Sequence, residues 1–185
     1  MAIHLTADHA KESLHAHVAA KGAEIFEKYG PAIRFQDLRK ILQDRACVRY
    51  PCELVFDGAP LHPGEFAYPA PNGERPEDGF TLYVHPIYMT QLADVPLLAM
   101  YQLVTVNYGE FASSDDAEIF AAHALGLQPE EGYERLCALA DELGVAIDPG
   151  TGMGGGVMPL LSRPEDSLHP RKQFPCRAGA CAGQA

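Results

Sequence analysis

LADVPLLAMYQLVTVNY, residues 92–108, is the longest nearly unbroken apolar run in the chain. Asp94 is suited to cap a helix. Pro96 fits a first turn, where its missing N–H leaves no bond unmade. From there Leu97, Leu98, Met100, Tyr101, Leu103, Val104 and Val106 cover every side of a helical wheel, interrupted only by Gln102, Thr105 and Asn107. A helix apolar all round is a buried one. About 15 residues at ~1.5 Å each span roughly 22 Å, the width of a small domain core. A membrane span needs about 20 apolar residues. Tyr101 to Val106 is also rich in strand formers, so a buried strand at that end is the alternative. The run says where the core lies and nothing about chemistry.

Working outward on the N-terminal side, Thr6 or Asp8 can cap a helix running to about Tyr29. Leu14, Val18, Gly22, Ile25 and Tyr29 form its core face at three- and four-residue spacing. Gly30 reads as its stop and Pro31 as the opening of a second helix to about Ala46, the two forming an antiparallel hairpin. At Arg49 to Asp57 the period switches to two: Cys52, Leu54 and Phe56 share one face, Glu53, Val55 and Asp57 the other. Residues 58–79 hold five prolines and four glycines, a turn-rich excursion with a short strand at Glu65 to Tyr68. Phe80 to His85 alternates again and Pro86 closes it.

On the C-terminal side, Ser113 with Asp116, or Asp115 with Glu118, has capping-box spacing and opens a helix. Pro129 opens another, with Tyr133, Leu136, Cys137, Ala140 and Leu143 on its apolar stripe and Gly144 as its stop. After Ile147 the composition changes: residues 148–185 hold seven of the 17 glycines and five prolines. The expected organisation is one α+β domain, residues 1–147, with a Gly/Pro-rich extended tail, 148–185. Within the domain come an N-terminal helical hairpin, a small antiparallel sheet, the buried central helix and two further helices.

Charge narrows the partners. Residues 1–147 carry 10 Lys and Arg against 22 Asp and Glu, a net of -12; residues 148–185 carry four against three, a net of +1. An acidic body lacks the cations that bind nucleic-acid phosphates or anionic membranes. No basic and apolar leader opens the sequence, which places the chain in the cytoplasm with its five cysteines reduced. A protein partner, such as a redox enzyme or a second copy of the chain, is the expected company. Phe66, Tyr68, Pro69 and Pro71 are candidates for an aromatic contact patch, or for packing back on the sheet.

Four clusters bear on chemistry. Cys176-Arg-Ala-Gly-Ala-Cys181 resembles the cluster loop of plant-type 2Fe–2S ferredoxins. In that family the sequence C-R-A-G-A-C supplies the first two iron ligands. The resemblance covers six residues and implies that Cys176 and Cys181 ligate an iron–sulfur cluster or another metal. The family's third cysteine falls three residues on, where Gln184 stands. Cys47 and Cys52 repeat the C-x4-C spacing, and two such pairs make a possible four-thiolate site for zinc or iron. His62, Glu65 and His85 supply two imidazoles and a carboxylate, a possible zinc or iron site with open positions. Glu12 and His15, with Asp8 on the same helix edge, have the Glu-x-x-His spacing of di-iron bundles but lack a second copy.

GTGMGGG has no phosphate-loop lysine, and no G-x-S-x-G elbow or Cys-x-x-Cys pair occurs. The readings are therefore three. The first is an accessory protein whose C-terminal thiols handle metal or iron–sulfur clusters or dock on a redox partner. The second is a metal-dependent enzyme on His62, Glu65 and His85. The third is a metal-free assembly factor.

Overall fold

The computed structural model describes residues 7–147. Residues 148–185, with Cys176 and Cys181, lie outside the described residues. The apolar run is helix α3, Val95–Tyr108, with no strand at its end. Eleven of its 14 residues are buried; only Gln102, Thr105 and Tyr108 are not. Asp94 is its N-cap residue and Pro96 lies in its first turn. The Asp94 carboxylate, however, does not close on the helix's own amides. It accepts from the Arg135 guanidinium at 2.9 Å.

The remaining elements are α1 (Ala7–Tyr29), α2 (Phe35–Gln43), β1 (Cys52–Phe56), β2 (Ala67–Pro71), β3 (Phe80–Val84), α4 (Ser114–Leu125) and α5 (Pro129–Ile147). This is the expected α+β class. The sheet differs in one respect: it is mixed, in the order β1-β3-β2. β2 and β3 are antiparallel, with Tyr68 opposite Tyr83, but β1 and β3 run parallel, with Leu54 opposite Leu82. The excursion after β1 is long enough to contain β2 itself, so the chain reverses twice before β3. β2 lies two residues beyond the strand expected at Glu65 to Tyr68. As an edge strand it tolerates Pro69 and Pro71, which cannot donate to a ladder. The alternation in β1 holds: Cys52 is buried while Glu53 and Val55 are exposed.

α3 lies against β2 and β3. α4 packs on α3, and α1 and α5 pack on α4. The expected α1–α2 hairpin gives way to this arrangement, and α1 meets α2 at one corner. There Asp44 accepts from the Tyr29 hydroxyl at 2.8 Å, the Ala46 amide at 3.1 Å and the Lys28 ammonium. The lysine foremost, then these hydrogen bonds, holds the Asp44 carboxyl well below the usual range. α2 starts four residues after Pro31, where Asp37 accepts from the Arg34 amide at 3.1 Å. The Gly30–Pro31 bond is cis, and an extended link rather than a helix follows it.

α4 opens with the expected capping box. Asp116 accepts from the Ser113 amide and hydroxyl, both at 2.7 Å, and its own amide donates to Ser113 Oγ at 3.2 Å. Asp116 is 2% exposed. His15 Nδ1 lies 3.0 Å from its other oxygen, tying α1 to the start of α4. Burial pushes Asp116 up, but the Ser113 and His15 hydrogen bonds outweigh it and hold the carboxyl below its ordinary value. Farther along α1, a Cβ on Gly22 would stand 2.6 Å from the Phe120 carbonyl oxygen. The two helices therefore cross where α1 has no side chain. Gly144, read as a stop, lies inside α5, which continues to Ile147. No described helix is long and apolar enough to cross a membrane.

Two glycines separate these roles. Gly22→Val should cost about 1–3 kcal/mol by forcing the α1–α4 crossing apart. Gly144→Ala, which meets nothing within 4 Å, should stabilise by about 0.5–1 kcal/mol. Urea midpoints of the two variants check both signs.

Candidate functional site

Gln102, Thr105 and Tyr108 recur at three-residue spacing, so they form one stripe along α3. The stripe is the floor of a groove of about 650 Å³. That volume lies within the range of ligand sites, roughly 300–1,000 Å³. Tyr68 and Pro69 of β2 form part of its wall, with Tyr50 and Phe80 also lining it. Glu110 and Phe111, on the short 3-10 turn at Gly109–Phe111, line it beyond the end of α3. The turn is possible because Gly109 takes a φ of 61° at the helix C-cap. Phe111 is 89% exposed, the most exposed of the four large apolar side chains described as exposed.

The groove is held in shape by buried polar contacts. Gln102 Nε2 donates to the Ala67 carbonyl at 2.9 Å, fixing β2 to the helix. Asn107 is 8% exposed and uses both ends of its amide. Its Oδ1 accepts from the Arg49 amide at 2.8 Å and its Nδ2 donates to the Cys47 carbonyl at 3.0 Å. This clasp sets the path of residues 47–50 along the groove. The Arg49 guanidinium then lies 5.4 Å from the Tyr50 ring centroid, in cation–π contact. Tyr50 in turn packs on Phe80, with centroids 6.1 Å apart, and Phe66 packs on Tyr101 at 5.7 Å.

Burial, then the Glu118 and Asp115 charges, raises the Tyr101 hydroxyl. Burial, then Glu24, raises Tyr108, with Arg49 opposing. Both stay protonated at neutral pH, as donors and acceptors rather than bases. The lining is thus aromatic, with one cation, Arg49, two carboxylates, Glu65 and Glu110, and neutral hydrogen-bonding groups. Such a surface can hold a chain or ligand flat by stacking and orient it by hydrogen bonds.

The residues singled out by sequence fall elsewhere. Glu65 reaches the groove, but its Oε2 accepts from the His62 amide at 2.8 Å and closes the turn between them. His62 is exposed on that turn. His85 caps the 3-10 turn Pro86–Thr90, its Nδ1 accepting from the Ile87 amide at 3.3 Å; burial lowers its pKa. Its ring lies beside Gly58. Among the described residues no three His, Cys, Asp or Glu side chains come together as a group able to hold a metal ion. His62, Glu65 and His85 are thus not assembled. Cys47 donates to Asp44 Oδ2 at 3.3 Å, and Cys52 is buried beside β3. Burial chiefly, with the Asp44 carboxylate helping at Cys47, pushes both thiols up to about 12. Neither belongs to a group of three potential metal-ligating side chains among the described residues. Cys137 is half-buried on α5. Cys176 and Cys181 lie outside the described residues.

The groove went unread in the sequence at Arg49, Tyr50, Tyr101, Tyr108 and Phe111. Its signal was present as Gln102 and Thr105, two of the three polar interruptions of the buried helix. Their three-residue spacing marks a single uncovered sector. Of the proposed aromatic patch, Tyr68 and Pro69 line the groove, Phe66 is buried, and Pro71 is exposed at the strand end.

No protein-family model, curated protein or solved structure matches the chain.

The two raised thiols predict alkaline sensitivity. In the unfolded chain they ionise near 9, whereas in the fold they hold their protons to about 12. The unfolded state therefore sheds protons first as pH rises, and stability present below pH 9 is lost above it. The urea midpoint should fall steadily from about pH 8.5 to about pH 10.5. A midpoint flat across that window counts against protected thiols.

Proposed function

We propose that the folded body is the docking module of a cytoplasmic accessory protein. In this reading a protein partner lays an extended, proline-containing, basic segment in the groove over α3. One observation carries it: a helix buried on every other side is open along Gln102, Thr105 and Tyr108, and aromatic rings wall the opening. Proline-rich segments adopt an extended helix before binding, so they lose little entropy on docking, and their rings stack on aromatic walls. Their carbonyls accept from donors such as tyrosine hydroxyls. The net of -12 on residues 1–147 favours a basic segment and steers its approach.

The Cys176–Cys181 spacing supports a second, compatible role, in which the thiols handle an iron–sulfur cluster or zinc for the docked redox partner. A reducing cytoplasm keeps such thiols available. The partner would be brought close by the groove while the thiols act on the metal.

A fluorescein-labelled proline-rich peptide carrying two arginines, followed by anisotropy, tests the docking. The full chain should bind it. Tyr108→Ala should weaken binding roughly tenfold, or about 1.4 kcal/mol. Met89→Ala, at an exposed residue outside the groove, should leave it unchanged. Equal affinity in the wild type and Tyr108→Ala would falsify the groove as the site.

The thiol role is tested by iron and zinc analysis of the full chain purified without oxygen. Roughly one or two irons per chain, lost in the Cys176→Ser/Cys181→Ser double variant, are expected. Metal unaffected by that variant, or absent from the wild type, removes the role.

A further inference from the structure

We infer that the chain's own residues 168–176, LHPRKQFPC, occupy the groove until a partner displaces them; this rests on the docking reading above. The groove suits an extended segment with prolines, an aromatic or aliphatic anchor, and net positive charge, since its two carboxylates, Glu65 and Glu110, outnumber its one cation, Arg49. Within this chain, residues 168–176 fit it on all counts. Pro170 and Pro175 flank Arg171 and Lys172, and Phe174 supplies the anchor. Residues 148–185 also carry a net of +1, against -12 for residues 1–147. Charge complementarity therefore runs between the two parts of one chain.

Reach is not limiting. Leu168 follows Ile147 by about 21 residues, which extend to roughly 70 Å at ~3.3 Å each. A folded body of about 140 residues is roughly 40 Å across. Tethering raises the local concentration of the segment to the millimolar range, so even weak contacts fill the groove. Phe111 is the residue most affected. Its side chain is 89% exposed on the groove's rim, and a docked segment covers it.

The chain has no tryptophan, so Phe111→Trp places a single fluorescent reporter on the rim. Because Phe111 is exposed, the substitution leaves the core intact. In the otherwise wild-type chain the reporter should emit at short wavelength and resist acrylamide quenching. Adding Arg171→Glu, Lys172→Glu and Phe174→Ala should shift emission to the solvent-exposed value and raise quenching. A synthetic peptide of residues 168–176, added in trans to that variant, should reverse both changes, and about 0.5 M salt should weaken the reversal. A reporter equally exposed with and without the tail substitutions overturns the inference. If the trans peptide still shields the reporter in that case, self-occupancy fails while docking stands. If it does not, both fail.

Discussion

A helix apolar on every side must be covered on every side, and this constraint on α3 organises the molecule. β2 and β3 cover one flank, α4 covers another, and α5 closes the N-terminal end through Arg135 and Asp94. Tyr88 reinforces that end, its buried hydroxyl donating to the Leu139 carbonyl at 2.8 Å. α1 meets α3 at Tyr108, where the His17 ring packs edge-on with centroids 5.8 Å apart, and it packs chiefly on α4 and so holds the cover in place. The close crossing at Gly22 lets α1 approach α4 without a side chain between them. Burying a large apolar side chain contributes about 1.5–3 kcal/mol, so ten apolar positions on one helix dominate the core.

The three buried polar residues described, Thr81, Asn107 and Asp116, are each hydrogen-bonded, while Gln91 Oε1 is buried without a partner among the described residues. Asn107 spends both ends of its amide on backbone, Asp116 gathers Ser113 and His15, and Thr81 donates to Asn72 Oδ1 at 2.8 Å. An unpaired buried amide or carboxylate would cost far more than each bond returns. These contacts specify rather than merely stabilise. Asn107 fixes the segment before β1, Asp116 fixes the α1–α4 angle, and Thr81 fixes the loop that follows β2. The groove inherits its shape from the first of them.

The class, the buried helix, the faces of α1 and β1, and the Ser113–Asp116 cap were legible because each depends on residues within a turn of one another. Partnerships between distant segments were not. The parallel pairing of β1 with β3 depends on where β2 inserts within a proline-rich excursion, and no local period records that. Pro31 looked like a helix start because proline suits a first turn, yet the Tyr29 and Lys28 contacts to Asp44 place the corner and the helix begins later. Gly144 looked like a stop because glycine often ends helices. Nothing at that position asks for a left-handed residue, so α5 runs on. At the candidate sites, residue type alone suggests His62 and Glu65 as ligands. Their backbone spacing suits a turn closed by the carboxylate, and that local hydrogen bond is what forms.

Phe111 bears on the proposed docking in the groove. Its ring is 89% exposed, so the core gains almost nothing from it, and a polar residue on the 109–111 turn would serve folding as well. Single exposed apolar residues are ordinary on any surface. This one differs because it continues a surface that already contains Tyr50, Tyr68, Phe80 and Tyr108. The aromatic area is thereby extended past the end of α3 on a turn that Gly109 alone makes possible. An apolar stripe that folding requires would be covered by the fold. Here the fold covers every other sector of α3 and adds an aromatic side chain to the rim of the sector it leaves open. The proposed docking of a chain in the groove would account for both features at once; core packing accounts for neither.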